Sequence, residues 1–106
     1  MKERYLYFGR FDPMHEGHLF IIDYLLASGY DVTVGIKRDI SVNELLELKR
    51  MLDEIYGENK LRIILMGWWN HIAYGRKVGY SWKRIPTPKR LEQISATKIR
   101  AELNGL

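Results

Sequence analysis

Cysteine is absent from the chain, which excludes disulfides, thiolate metal sites and a cysteine nucleophile. Long apolar runs are missing as well. Asp23 splits Phe20-Ile21-Ile22 from Tyr24-Leu25-Leu26, far short of the roughly 20 apolar residues that span a bilayer as a helix. Met1-Lys2-Glu3-Arg4 lacks the apolar centre of a signal peptide, so a cytoplasmic location with no membrane partner is expected. Neither a GxGxxG turn nor a Walker loop occurs, which takes away the usual support for hydride transfer and for P-loop chemistry. Histidine is scarce, with three in the chain. His15 and His18 are three apart rather than the four of a zinc-protease helix, and their spacing with His71 supports no metal site. Ser95-x-x-Lys98 resembles the opening of a serine–lysine acylase motif, but its companions are missing.

The 106 residues, 46% of them hydrophobic, suit one domain spanning 1–106. The aromatic alternation of Arg4–Phe8 predicts a strand. From about Glu16 the positions Leu19, Ile22, Leu25 and Leu26 share a helical face that Ser28-Gly29 ends. Val32–Ile36 predicts a second, buried strand. Ser41-x-x-Glu44 is a capping box opening a helix whose stripe is Leu45, Leu48, Leu52, Ile55 and Tyr56, closed by Gly57. Leu61–Met66 predicts a third strand. An irregular segment from Gly67 to Gly79 follows, then a short strand over Tyr80–Ile85, a stiff Pro86-Thr87-Pro88 connector, and a last helix from about Ser95–Thr97 to Asn104-Gly105. The order β-α-β-α-β with short connections predicts an α/β fold with a parallel sheet. In such sheets ligands bind beyond the carboxyl ends of the strands, at the switch in strand order.

Charge is uneven. The net charge is +4, yet residues 71–106 hold eight Lys/Arg against two Asp/Glu. Such a basic third fits polyphosphate, a solvated face or a nucleic-acid patch equally.

Phe8-Gly9-Arg10-Phe11-Asp12-Pro13-Met14-His15-Glu16-Gly17-His18 runs off the first strand into a helix start. A helix start offers unpaired backbone N–H groups and the positive end of a dipole, which suit an anion. Two imidazoles and Arg10 make the place a candidate phosphate site. Gly9 would allow a sharp exit from the strand, and Gly17 would keep the helix end clear. The stretch resembles the HxGH signature of the nucleotidyltransferase superfamily, which includes cytidylyltransferases and coenzyme adenylyltransferases. Ile94-Ser95-Ala96-Thr97-Lys98-Ile99-Arg100 resembles the second signature of that family, commonly ISSTxIR.

The resemblance implies a small Rossmann-like domain of the nucleotidyltransferase type. It implies transfer of a nucleotidyl group from a nucleoside triphosphate to a small phosphorylated acceptor, with loss of pyrophosphate. His18 and His15 take the catalytic positions. Gly9, Arg10, Phe11, Gly17, Ser95, Ala96, Thr97 and Arg100 join them as nucleotide- and phosphate-binding positions. Lys37, Asn70, Arg76 and Lys98 are further candidates for phosphate or acceptor, and Lys37 and Arg38 end the second strand, where the family often places a phosphate-binding cation. Trp68 and Trp69 would stack on a ring or belong to a core or interface. Magnesium would be held mainly by the phosphates. Gly9-Arg10-Phe11 favours ATP, whereas Asp12 leans towards CTP. The shortness of the chain implies a homodimer or higher homo-oligomer that completes the acceptor pocket. Two rivals are a nucleotide-binding module without turnover and a basic nucleic-acid-binding protein, the latter disfavoured by the motifs.

Overall fold

The computed structural model describes residues 2–76 and 79–92. The elements are β1 (Arg4–Gly9), α1 (Glu16–Ala27), β2 (Asp31–Ile36), α2 (Val42–Tyr56), β3 (Arg62–Leu65) and a helical turn, α3 (Lys89–Glu92). The strands form one parallel sheet in the order β1-β2-β3, an α/β arrangement consistent with a Rossmann-like fold. No switch in strand order occurs among the described residues, and β1 is an edge of the sheet they form.

Side chains alternate across this sheet as the pleat demands. Tyr5 pairs with Val32, Tyr7 with Val34, and Val34 with Ile63, which places these residues on one face. Ile22 and Leu25 from α1 and Leu52 from α2 join Val32, Val34 and Ile36 in a single core cluster. Both helices therefore cover the same face, as two right-handed crossovers stepping in one direction produce. Tyr56 ties the helices together: its hydroxyl donates to Asp23 Oδ1 at 2.6 Å, and burial with that carboxylate beside it raises its pKa. The opposite face carries Leu6, Phe8, Thr33, Gly35 and Ile64. Gly35 is glycine for want of space, since a Cβ there would meet the Met66 sulfur and, at 3.2 Å, both Leu6 and Phe8.

The three strands and two long helices lie where the pattern puts them. Ser41 caps α2 by accepting from the Glu44 amide at 3.2 Å, the first half of the expected box, while the Glu44 carboxylate accepts from Arg38 Nη1 and the Ser41 hydroxyl. Ile55 departs from the expected stripe. It is 49% exposed, and Met51 takes its place against the core. Tyr80–Ile85 is not a strand. Tyr80 and Trp82 stand 84% and 76% exposed, and among the described residues this segment pairs with no strand; Ile85 packs against the core. A turn of helix already forms at Lys89–Glu92, where the Pro88 carbonyl accepts from Leu91 and Glu92 and Leu91 is buried. The helix expected from Ser95–Thr97, and with it Ser95, Ala96, Thr97, Lys98 and Arg100, lies outside the described residues. No helix among the described residues is long and apolar enough to cross a membrane.

Leu52 is 2% exposed and is the α2 side chain fully inside the core. Leu52→Ala removes three buried carbons and leaves a cavity, so urea unfolding is expected to show a loss of about 2–5 kcal/mol. Ile55→Ala, at the exposed neighbour, is expected to shift stability by less than about 1 kcal/mol.

Candidate functional site

The carboxyl end of β1 runs through Arg10–Met14 into α1, and the geometry there is set by two histidines. His15 is the N-cap of α1, with extended backbone at φ −135° and ψ −179°. Its Nδ1 accepts from the Gly17 amide at 3.1 Å. His18 Nδ1 reaches back and accepts from the His15 amide at 3.1 Å. This is the reciprocal arrangement of a capping box, built from imidazoles in place of a hydroxyl and a carboxylate. The rings stack with centroids 3.7 Å apart and planes at 26°.

Two consequences follow. A nitrogen that accepts an N–H bond carries no proton, so in both neutral rings the proton sits on Nε2. The site thus presents two Nε2–H donors. In addition, the Gly17 and His15 amides, which an anion at a bare helix start would use, are already taken by imidazole nitrogens. The donors that the two histidines themselves offer to a ligand at this helix end are their ring N–H groups.

Electrostatics keeps these rings neutral. Burial, and then the neighbouring His15, lower the His18 pKa to about 4 from 6.5. Burial lowers that of His15 as well. Two stacked cations would repel strongly at this distance, and protonating Nδ1 would remove the acceptor on which each cap depends.

Packing holds His18 from behind. The Phe11 ring is 4% exposed and meets His18 edge-on at 4.9 Å and 86°; Tyr7 packs on Phe11 at 5.4 Å. Phe11 adopts φ +50°, a left-handed backbone that costs about 1–2 kcal/mol in a residue with a Cβ. Its ring is a support for the histidine within the core. Gly9 makes room for that ring, since a Cβ would lie 3.2 Å from it. Gly17 is glycine for a similar reason: a Cβ would press on the His15 ring at 3.0 Å.

Beside the histidines, cations and indoles gather at the carboxyl ends of the strands. The Lys37 amide donates to the Gly9 carbonyl at 2.8 Å. The Lys37 ammonium lies 4.9 Å from the Trp69 ring and 5.8 Å from Trp68, and the Arg10 guanidinium lies 5.6 Å from Trp68. Trp69 in turn packs on Phe8 at 5.4 Å. These contacts are cation–π attractions, and they gather Arg10 and Lys37 around one indole.

Gly9, Arg10, His15, Gly17, His18 and Lys37 are therefore brought together at one end of the sheet. Asn70 and Arg76 are exposed in the irregular segment, and among the described residues no hydrogen bond or ion pair joins their side chains to the histidines. Arg38 differs from Lys37: its guanidinium is bonded to loop carbonyls and to Glu44. No local pattern announces that role, because its partner Arg10 is 28 residues away. The histidine caps had a signal, since His-x-x-His at a helix start has the spacing of Ser-x-x-Glu. Among the described residues no group of three His, Asp or Glu is placed to hold a metal ion.

The His18 pKa, lowered from 6.5 to about 4, links stability to pH. Between these values the unfolded chain binds more protons than the fold, so stability rises with pH across this window and is lost as pH falls through it. Thermal unfolding from pH 7.5 to 4 should show this decline. His18→Gln keeps an acceptor for the His15 amide but does not titrate, so its decline should be shallower. Parallel declines in the two proteins would contradict the assignment.

Comparison with known proteins bears on this end of the chain. No curated protein and no solved structure matches it. Residues 6–51, from β1 through the histidine turn into α2, match the cytidylyltransferase-like family, consistent with the HxGH nucleotidyltransferase superfamily. Residues 6–51, which hold the histidine turn, are similar to that family, a likeness that supports a function of the nucleotidyltransferase type.

Proposed function

We propose that the protein transfers AMP from ATP to a small phosphorylated acceptor and releases pyrophosphate. The observation that carries this reading is the pair of neutral imidazoles whose Nε2–H groups stand at the carboxyl end of β1. In the reaction an acceptor phosphate oxygen attacks the α-phosphorus. The bond from that phosphorus to the bridging oxygen breaks, and pyrophosphate leaves with the electron pair. Such chemistry asks the protein to position groups and to stabilise charge on phosphoryl oxygens. His18 Nε2–H donates to a non-bridging α-phosphate oxygen, where charge grows in the transition state, and His15 contacts the same phosphate chain. Because both rings are neutral and their tautomer is held by backbone amides, these donors need no rearrangement when the triphosphate arrives.

Arg10 and Lys37 supply positive charge at the neighbouring strand ends. Ser95, Thr97 and Arg100, with the Ala96 amide and Lys98, take the β- and γ-phosphates, as the second signature implies. The triphosphate enters as its magnesium salt, the ion belonging to the substrate and held by phosphate oxygens. Asn70 faces the acceptor, and Arg76 is a further phosphate ligand. A homodimer completes the acceptor pocket, and the exposed Leu6, Ile64 and Trp82 are apolar surface available to the second subunit.

CTP is the alternative donor, favoured by Asp12 in the first signature and by the family that residues 6–51 match. The test is a pyrophosphate-release screen crossing ATP and CTP with nicotinamide mononucleotide, glycerol 3-phosphate, phosphopantetheine and other sugar and alcohol phosphates. Release is expected with ATP and one acceptor class, and His18→Ala is expected to slow it at least about a hundredfold, as loss of a preorganised donor does. Triphosphate binding without release from any acceptor would instead favour a binding module. Nucleic-acid binding that survives loss of His18 and falls steeply with salt would favour the basic-protein reading.

A further inference from the structure

Arg38 sits two residues beyond β2, at a strand end where a cation is available to a phosphate. Its side chain is only 15% exposed, and its donors are already committed. Nε donates to the Arg10 carbonyl at 2.8 Å and Nη2 to the Phe11 carbonyl at 3.4 Å. Nη1 donates to the Asp39 carbonyl at 3.2 Å and to Glu44 Oε2 at 3.1 Å. Asp12 Oδ1 is 3.9 Å from Nη2. Glu44 is itself fixed in the first turn of α2 through Ser41. One planar fork thus joins three consecutive residues of the β1–α1 turn to the start of α2.

The turn it grips is the one that needs holding. Phe11 stands in the left-handed region at φ +50°, and in that conformation its buried ring meets His18 at 4.9 Å with the planes at 86°. A guanidinium that binds the carbonyls on both sides of the Phe11 φ and ψ angles restricts them directly. We propose that Arg38 is a positioning residue for the transfer reaction, acting through the Phe11 backbone and ring to hold the His18 imidazole, and that it is not a phosphate ligand. This inference rests on the function proposed above for its kinetic arm only.

Two substitutions test it. Arg38→Met removes the fork but keeps much of the aliphatic stem; Arg38→Lys keeps the charge with a single donor group. In the pyrophosphate-release assay Arg38→Met is expected to lower kcat roughly ten- to hundredfold, with the triphosphate KM changed by less than about threefold. Arg38→Lys is expected to fall between it and the wild type. In the ligand-free protein the His18 ring-proton signals, set beside the Phe11 ring at a centroid distance of 4.9 Å, should shift in both variants. A tenfold or larger rise in KM at unchanged kcat would make Arg38 a direct phosphate ligand and overturn the proposal. So would a His18 signal unmoved in both variants. If Arg38→Met does not unfold cooperatively, Arg38→Lys carries both readouts. A wild-type protein that releases no pyrophosphate would sink the enzymatic reading, while the ligand-free His18 signal would still decide the role of Arg38.

Discussion

Two imidazole nitrogens close the first turn of α1 by accepting the amides of Gly17 and His15, and the rest of the site is arranged around that reciprocal bond. It satisfies two donors that a helix start would otherwise leave to solvent or ligand. At the same time it dictates the protonation pattern, because an accepting Nδ1 forces the proton onto Nε2. Local structure and chemistry are here one constraint. The bond that starts the helix also prepares the donors that a phosphate would meet, and protonation of either Nδ1 would undo both.

Support for that pair comes from successively larger parts of the fold. Phe11 buttresses His18 from the core side, Gly9 and Gly17 leave room for the two rings, and Arg38 fastens the turn to α2. Parallel pairing brings the ends of β1 and β2 side by side, with the Lys37 amide bonded to the Gly9 carbonyl. Arg10 and Lys37 consequently lie at the same end of the sheet as the histidines although they follow different strands. The face of the sheet away from α1 and α2 exposes Leu6 and Ile64 and, through Phe8, carries Trp69 and with it the Lys37 ammonium.

Much of the architecture was legible because it rests on short-range pattern. The Val32–Ile36 run, the Leu stripe of α2 and the Ser41–Glu44 box each carry their own period or cap, and each appears where the pattern places it. Tyr80–Ile85 misled because its aromatic and β-branched composition resembles a strand, yet a strand exists only through a partner and this segment has none among the described residues. The site divided in the same way. Its histidines, glycines and Arg10 were visible as a contiguous motif. Their actual duties were not: Phe11 turned inward, the helix-start amides were claimed by imidazoles, and Arg38 was drawn to carbonyls far away in sequence. Contacts of that range leave no local trace.

The central claim concerns the state of two rings, so nitrogen-resolved NMR of the histidine side chains tests it most directly. At pH 7, His15 and His18 should both show a bare Nδ1 and a protonated Nε2. Addition of magnesium ATP should shift the His18 Nε2–H signal and leave His71 unmoved. A proton on Nδ1 of either ring, or a His18 signal indifferent to nucleotide, would contradict the account.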